Sequence, residues 1–463
     1  MTMTLPEETA KEAVGNPLVA LLAVLAGGLI LALPTFWNGF PFIFYDTTDY
    51  LHGANNGPIA IYRTYPYSIA LIALLGRVSL WWPALLQNLI ASWVIFEAIR
   101  AFAPRAIRPE RLLPVIAVLL TGLTALPWYS GQIMPDVFSG IAALSIAVVA
   151  FGGQKLGLAR RLALAGIITV AAAVHSTHLL TATALVFGLL LLRFLPWTRW
   201  LAPAPALPLA AVLAAYLVVL GSHWALAGRP YLNDAGPVFL FARFLESGLA
   251  QKTLEEMCPD PRLPRMCAHS DALPDDTNKF LWGGTAKGSP FDDMGNFSEL
   301  RGEASIVILE SVRRFPILHL ASALRVGLTQ FVTLESGEGI RVSQSWLLQE
   351  VMAQYYPKDA PAFHAARQQE TASLGWLFDR LNQVHVPVAW LGYLATIWLL
   401  LLGWWRQDRL LTALPLVAGT TLLVNAILCG ALSAVADRYQ NRLWWIAVLA
   451  GLVGSLMALK RKA

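Results

Sequence analysis

Three acids and three arginines stand in polar stretches of an otherwise apolar chain. "FYDTTDYLHGANNGPIAIYRTYP" (44–66) carries Asp46, Asp49, Tyr50 and Arg63. "LPWYSGQIMPDVFSG" (126–140) carries Asp136 as its one charged residue, and "ADRYQNRLWW" (436–445) carries Arg438, Tyr439 and Arg442. A carboxylate can take the proton of an attacking hydroxyl or amine, or hold a divalent cation such as Mg or Mn. A guanidinium offers fixed donors to phosphate oxygens. Together these are the parts needed to move a group off a phosphate carrier. Asp46 and Asp136 are the catalytic candidates and the pair that a metal would use. Asp49, Tyr50, Arg63, Arg438, Tyr439 and Arg442 are candidate substrate contacts.

Each residue also has a simpler local role. Asp46 can cap a helix starting at Thr47, with Asp49 in its first turn, where the helix dipole favours a carboxylate. Asp136 can cap the helix after Pro135, and the two arginines can snorkel at an interface. His175 and His178 in "VHSTH" (174–178) either hydrogen-bond at a tight turn or contact substrate, since two histidines without a third ligand make a weak metal site.

The elements that must position these residues are membrane helices. Of 463 residues, 56% are hydrophobic and 14% charged, with a mean hydropathy of +0.55. Soluble domains carry about 25% charged residues. Seventeen tryptophans suit the bilayer interface. A span needs about 20 apolar residues, which predicts ten: 17–36, 80–100, 111–128, 136–152, 160–175, 177–194, 203–222, 385–405, 410–433 and 443–459. The expected fold is therefore an all-α polytopic membrane protein. Basic residues gather in alternate loops, at Arg100–Arg111, Lys155–Arg161, Arg193–Arg199, Arg406–Arg409 and Lys460–Lys462. That pattern places both termini in the cytoplasm and the acidic loops outside. The net charge of +5 follows from these loops and is no sign of nucleic-acid binding. Membrane lipids are the expected surroundings.

The chain divides into a seven-span module (1–222), a non-cytoplasmic segment (223–384) and a three-span module (385–463). In the segment, "CPDPRLPRMC" sets Cys258 and Cys267 at the spacing of a small disulfide loop on an oxidising face, with two free thiols as the alternative. Residues 302–332 show helical periodicity broken at Pro316, which predicts an amphipathic helix pair lying on the membrane surface.

The order of these features resembles the GT-C superfamily of membrane glycosyltransferases, including the protein O-mannosyltransferases and the aminoarabinose transferase of lipid A. In that group an Asp of the first outer loop precedes a Tyr and an Ala at helical spacing, as Asp46, Tyr50 and Ala54 do in "DTTDYLHGA". Asp136 in the second outer loop and Arg438-Tyr439 in the last are similar to further elements of the group. The resemblance implies a GT-C-like fold with its site on the non-cytoplasmic side, and the compact loops favour a bacterial inner membrane, with the site periplasmic, over an endoplasmic one. It also implies inverting transfer of a sugar from a polyprenyl-phosphate donor to a lipid, glycan or protein acceptor, as in the synthesis of a cell-envelope glycan. Two other readings compete. A transporter or flippase would carry its ionisable groups at mid-membrane and show repeats, which this chain does not. An O-antigen polymerase or ligase would use basic residues of a large late loop, for which Arg301, Arg313, Arg314 and Arg325 are available.

Overall fold

The computed structural model describes residues 16–57, 59–152, 156–340, 346–370 and 373–460. Lys155, Arg461 and Lys462, counted above for topology, lie outside the described residues.

Each of the ten apolar stretches contains a helix, and the boundaries follow capping chemistry. Asn16 caps Pro17–Leu31, accepting from the Leu18 amide with proline at the first turn. Asp408 caps Arg409–Leu432, accepting from the Leu410 and Leu411 amides. Among the described residues, six helices are long and apolar enough to cross a membrane: Trp81–Phe102, Ser176–Phe194, Ala206–Ala227, Leu374–Trp405, Arg409–Leu432 and Asp437–Leu459. This is the build of an integral membrane protein. Four of the ten expected stretches hold shorter helices. Pro17–Leu31 and Pro109–Leu123 have 15 residues each, roughly 23 Å at 1.5 Å per residue, short of a core about 30 Å thick. Leu158–Ala173 has 16, and Val137–Ala147 gains length only through a π-helical turn at Val148–Gly152.

Arg409–Leu432 is the hub of the bundle. It packs against Val137–Ala147, Ser176–Phe194, Pro316–Val332, Ser373–Trp405 and Trp445–Lys460. One continuous apolar core runs from Ala23 to Val453 and so joins the first and last parts of the chain. A second core, from Ala235 to Val307, belongs to the central segment. Cys258 and Cys267 form the expected disulfide, and both pack against this second core.

The proline at 316 breaks the 302–332 stretch into Asn296–Arg314 and Pro316–Val332, bent by 103°. The second of these helices has a neighbour within the bundle. It packs against the hub through two glycines that allow close approach. A Cβ on Gly430 would meet the Val326 carbonyl oxygen at 2.9 Å, and one on Gly327 would meet Ile427 Cα at 3.1 Å. Its Ile317, Leu320, Leu324 and Leu328 remain exposed on another face. Periodicity marks an amphipathic helix but cannot tell a bilayer surface from a neighbouring helix.

Candidate functional site

The acidic loops come together through their backbones. Among the described residues the one β element is a parallel bridge between Phe42 and Gln132. In it Phe42 N donates to the Gly131 carbonyl at 3.0 Å, and Ile133 N donates to the Phe42 carbonyl at 2.9 Å. Thr47 Oγ1 donates to the Ile133 carbonyl at 2.9 Å. From the helix Trp81–Phe102, the buried Gln87 amide donates to the Ser130 and Gln132 carbonyls. Gln368 holds the other side of the first loop. Its Oε1 accepts from Ile43 N at 2.9 Å, and its Nε2 donates to the carbonyls of Ile43 and Ile340. These bonds satisfy loop backbone that would otherwise be buried without partners.

The loops so fixed carry Asp46 and Asp136 to the same place. Each stands at the N-cap position of its helix, Thr47–Ala54 and Val137–Ala147, yet neither carboxylate makes a capping hydrogen bond. The capping role allowed by sequence is therefore absent. The carboxylates face arginines instead. Asp46 pairs with Arg63 and, at 3.5 Å, with Arg438. Asp136 pairs with Arg438 at 3.5 Å and with Arg442 at 3.0 Å. Arg438 thus bridges the two acids. Asp49 takes the other side of Arg63, from Nε at 3.2 Å. Burial raises the Asp49 carboxyl above its ordinary range, with Arg63 pulling the other way.

The arginines are positioned as firmly as the acids, so snorkelling does not describe them. Arg442 is 1% exposed and donates to Thr177 Oγ1 at 3.1 Å as well as to Asp136. The Arg438 guanidinium lies 4.6 Å from the centroid of Phe44, and Tyr439 lies within cation–π distance of both Arg438 and Arg442. Tyr50 is fully buried under Arg63, at 5.7 Å. Burying charges is costly unless they are paired and hydrogen-bonded, and here every carboxylate and guanidinium has a partner.

The histidines sit at the edge of this cluster. His175 is not on the helix but caps it, its Nδ1 accepting from Thr177 N at 3.3 Å. His178 is buried, its Nδ1 3.2 Å from the Ala171 carbonyl, and the two rings are 5.0 Å apart. Among the described residues, no three His, Cys, Asp or Glu side chains converge as metal ligands. Arg438 stands between Asp46 and Asp136, where a divalent cation shared by the two would bind.

A cavity of about 980 Å³ opens against the cluster, lined by Asp46, Asp49, Tyr50, Arg63, His175, Arg438 and Tyr439. Arg442, Asp136 and His178 stand behind this wall. Leu180, Leu428 and Leu432 make an apolar side of the cavity, and Phe239 and Trp282 of the central segment make another. Glu338, not singled out in the sequence, also lines it and accepts from the Arg438 backbone N–H at 2.9 Å. Its strap includes Gly339 at φ +78°, whose missing Cβ makes room for Arg438 Cδ at 3.0 Å. The run "ESGEG" (335–339) was the available signal, since paired glycines around an acid mark a bent, closely approached backbone.

No family model matches the chain, and no curated protein or solved structure shows significant similarity to it.

Proposed function

We propose that this chain is an integral-membrane glycosyltransferase of GT-C type, moving a sugar from a polyprenyl-phosphate donor to an acceptor on the non-cytoplasmic face. The observation that carries the reading is the amphiphilic cavity in which one carboxylate, Asp46, lies between two guanidinium groups. A lipid-phosphate sugar needs those three surfaces at once. An apolar wall takes the prenyl chain, cations take the phosphate, and a base takes the acceptor's proton.

In the proposed mechanism the donor phosphate binds Arg438 and Arg63. Each guanidinium has five N–H donors, so phosphate joins or replaces the carboxylate contacts seen here. Asp46, thereby released from part of its pairing, accepts the proton of the acceptor hydroxyl or amine as that atom attacks the anomeric carbon. The carbon–oxygen bond to phosphate breaks, inversion results, and the two arginines stabilise the phosphate as its negative charge grows. Asp136 and Arg442 act behind them by fixing Arg438, while Tyr439 and Phe44 hold its guanidinium plane.

The test is mass spectrometry of lipids and envelope glycans from cells expressing wild type, Asp46→Asn or no protein, at matched abundance. A sugar-sized mass increment present only with wild type, and reduced about 10²–10⁴-fold in the variant, is expected for loss of a general base. A product unchanged in Asp46→Asn removes Asp46 from the chemistry. If no product depends on the chain at all, transport of a lipid-linked or small polar substrate becomes the better reading.

A further inference from the structure

The mechanism above leaves one wall of the cavity unused. There the helix Thr277–Trp282 presents Asn278 and Trp282, four residues apart and thus on one helical face. Both line the cavity, as do Tyr62, Phe239 and Asn233. Trp282 is 51% exposed, although three aromatic neighbours brace it: Tyr62 at 5.6 Å, Phe297 at 5.8 Å and Phe239 at 6.1 Å between ring centroids. The indole is thus held rigidly by its neighbours with a large part of its surface open. Asn278 and Asn233 are also exposed, so their amide donors and acceptors are available beside the ring.

We infer that this wall is a glycan-binding subsite, in which a sugar ring of the acceptor stacks on Trp282 while its hydroxyls bond to Asn278 and Asn233. This rests on the transferase reading and names its acceptor as a carbohydrate rather than a bare lipid or a peptide. The choice follows from how the cavity is divided. A prenyl or acyl chain has the aliphatic wall of Leu180, Leu428 and Leu432, where no polar group needs to be desolvated. A flat aromatic face flanked by amides suits a ligand with an apolar C–H face and a hydroxylated rim, which is a pyranose. The wall also leads directly to the chemistry. Trp282 touches Tyr62, Tyr62 lies 5.0 Å beneath the guanidinium of Arg63, and Arg63 pairs with Asp46.

The experiment is saturation-transfer NMR on the full chain in lipid nanodiscs, with a panel of soluble gluco-, manno-, galacto- and N-acetylglucosamine trisaccharides. At least one trisaccharide should receive magnetisation on the protons of one ring face. That signal should fall at least tenfold in Trp282→Ala, persist in Trp282→Phe, and weaken in Asn278→Ala, a surface change that cannot disturb the core. Asp46→Asn should bind the same sugar as wild type, which separates this inference from the catalytic one. If Asp46→Asn keeps its product in cells while sugar binding depends on Trp282, the subsite stands and the transfer mechanism fails. No saccharide signal from wild type, an equal signal from Trp282→Ala, or a Trp282-dependent signal from nanodisc acyl chains alone would each overturn the subsite.

Discussion

Asp136 and Glu97 are each 1% exposed, yet they are provided for differently. Asp136 meets two guanidinium groups within 3.5 Å, and one of them, Arg442, is as buried as the acid itself. Glu97, on the helix Trp81–Phe102, has Arg160 at 3.7 Å with a side chain 43% exposed, and its Oε2 has no hydrogen-bond partner. Gln87 of the same helix grips the acidic loops, and Glu97 lies ten residues further on, about 15 Å along the axis. One end of the bundle therefore holds an interlocked set of charges, and the other holds an acid beside a loosely placed arginine. At the acidic-loop end the buried charges pair with one another, although Arg442 Nε, like Glu97 Oε2, has no hydrogen-bond partner, and removing one carboxylate takes a partner from the guanidinium beside it.

Three substitutions test that contrast. The largest effect is expected from Asp136→Ala, which leaves Arg442 buried without its carboxylate. Stranding one partner of a buried pair costs about 3–5 kcal/mol, to be read as a lowered thermal unfolding midpoint in detergent, and Asp136→Ala/Arg442→Leu should recover part of the loss. A loss below about 1 kcal/mol would mean that water reaches the cluster and that the pairs contribute little. Arg438→Lys should act on turnover more than on stability. An ammonium keeps the charge but cannot hold two carboxylates and a phosphate with a fixed fork. A roughly 10–100-fold loss of product is expected, equivalent to about 1.4–2.8 kcal/mol of barrier, with abundance within twofold of wild type. Full activity in this variant would show that charge alone suffices at that point. Glu97→Gln should be the mildest, within about 1 kcal/mol in unfolding and without effect on product. A larger loss would place Glu97 among the interlocked charges and erase the contrast.

Much of this site was legible in sequence because its members are charged residues in an apolar chain, where each one stands out. Asp46, Asp136, Arg63, Arg438 and Arg442 were all found that way, and the structure brings them together. What sequence could not show is which partner each would take. Asp46 and Asp136 look like caps because capping is local and needs only a residue type in the right place. The arginines that claim them instead lie far away, Arg438 392 residues from Asp46. Gln368 was invisible for the same reason, since nothing around it marks a glutamine that pairs with backbone 325 residues earlier. The helices were legible as apolar runs, but their lengths were not. Hydropathy averages over a window, whereas a helix ends at one residue, as Pro109–Leu123 does before the extended Thr124.

The separation between Asp136 and its partner also has a consequence in time. Arg442 lies 306 residues after the carboxylate it neutralises. At synthesis rates of roughly 5–20 residues per second, the nascent chain carries Asp136 for about 15–60 s before that arginine has been made. Throughout that interval neither guanidinium that pairs with Asp136 is present, since Arg438 is also made later. The charge set around Asp136 is therefore complete only once the segment carrying Arg438 and Arg442 has been made.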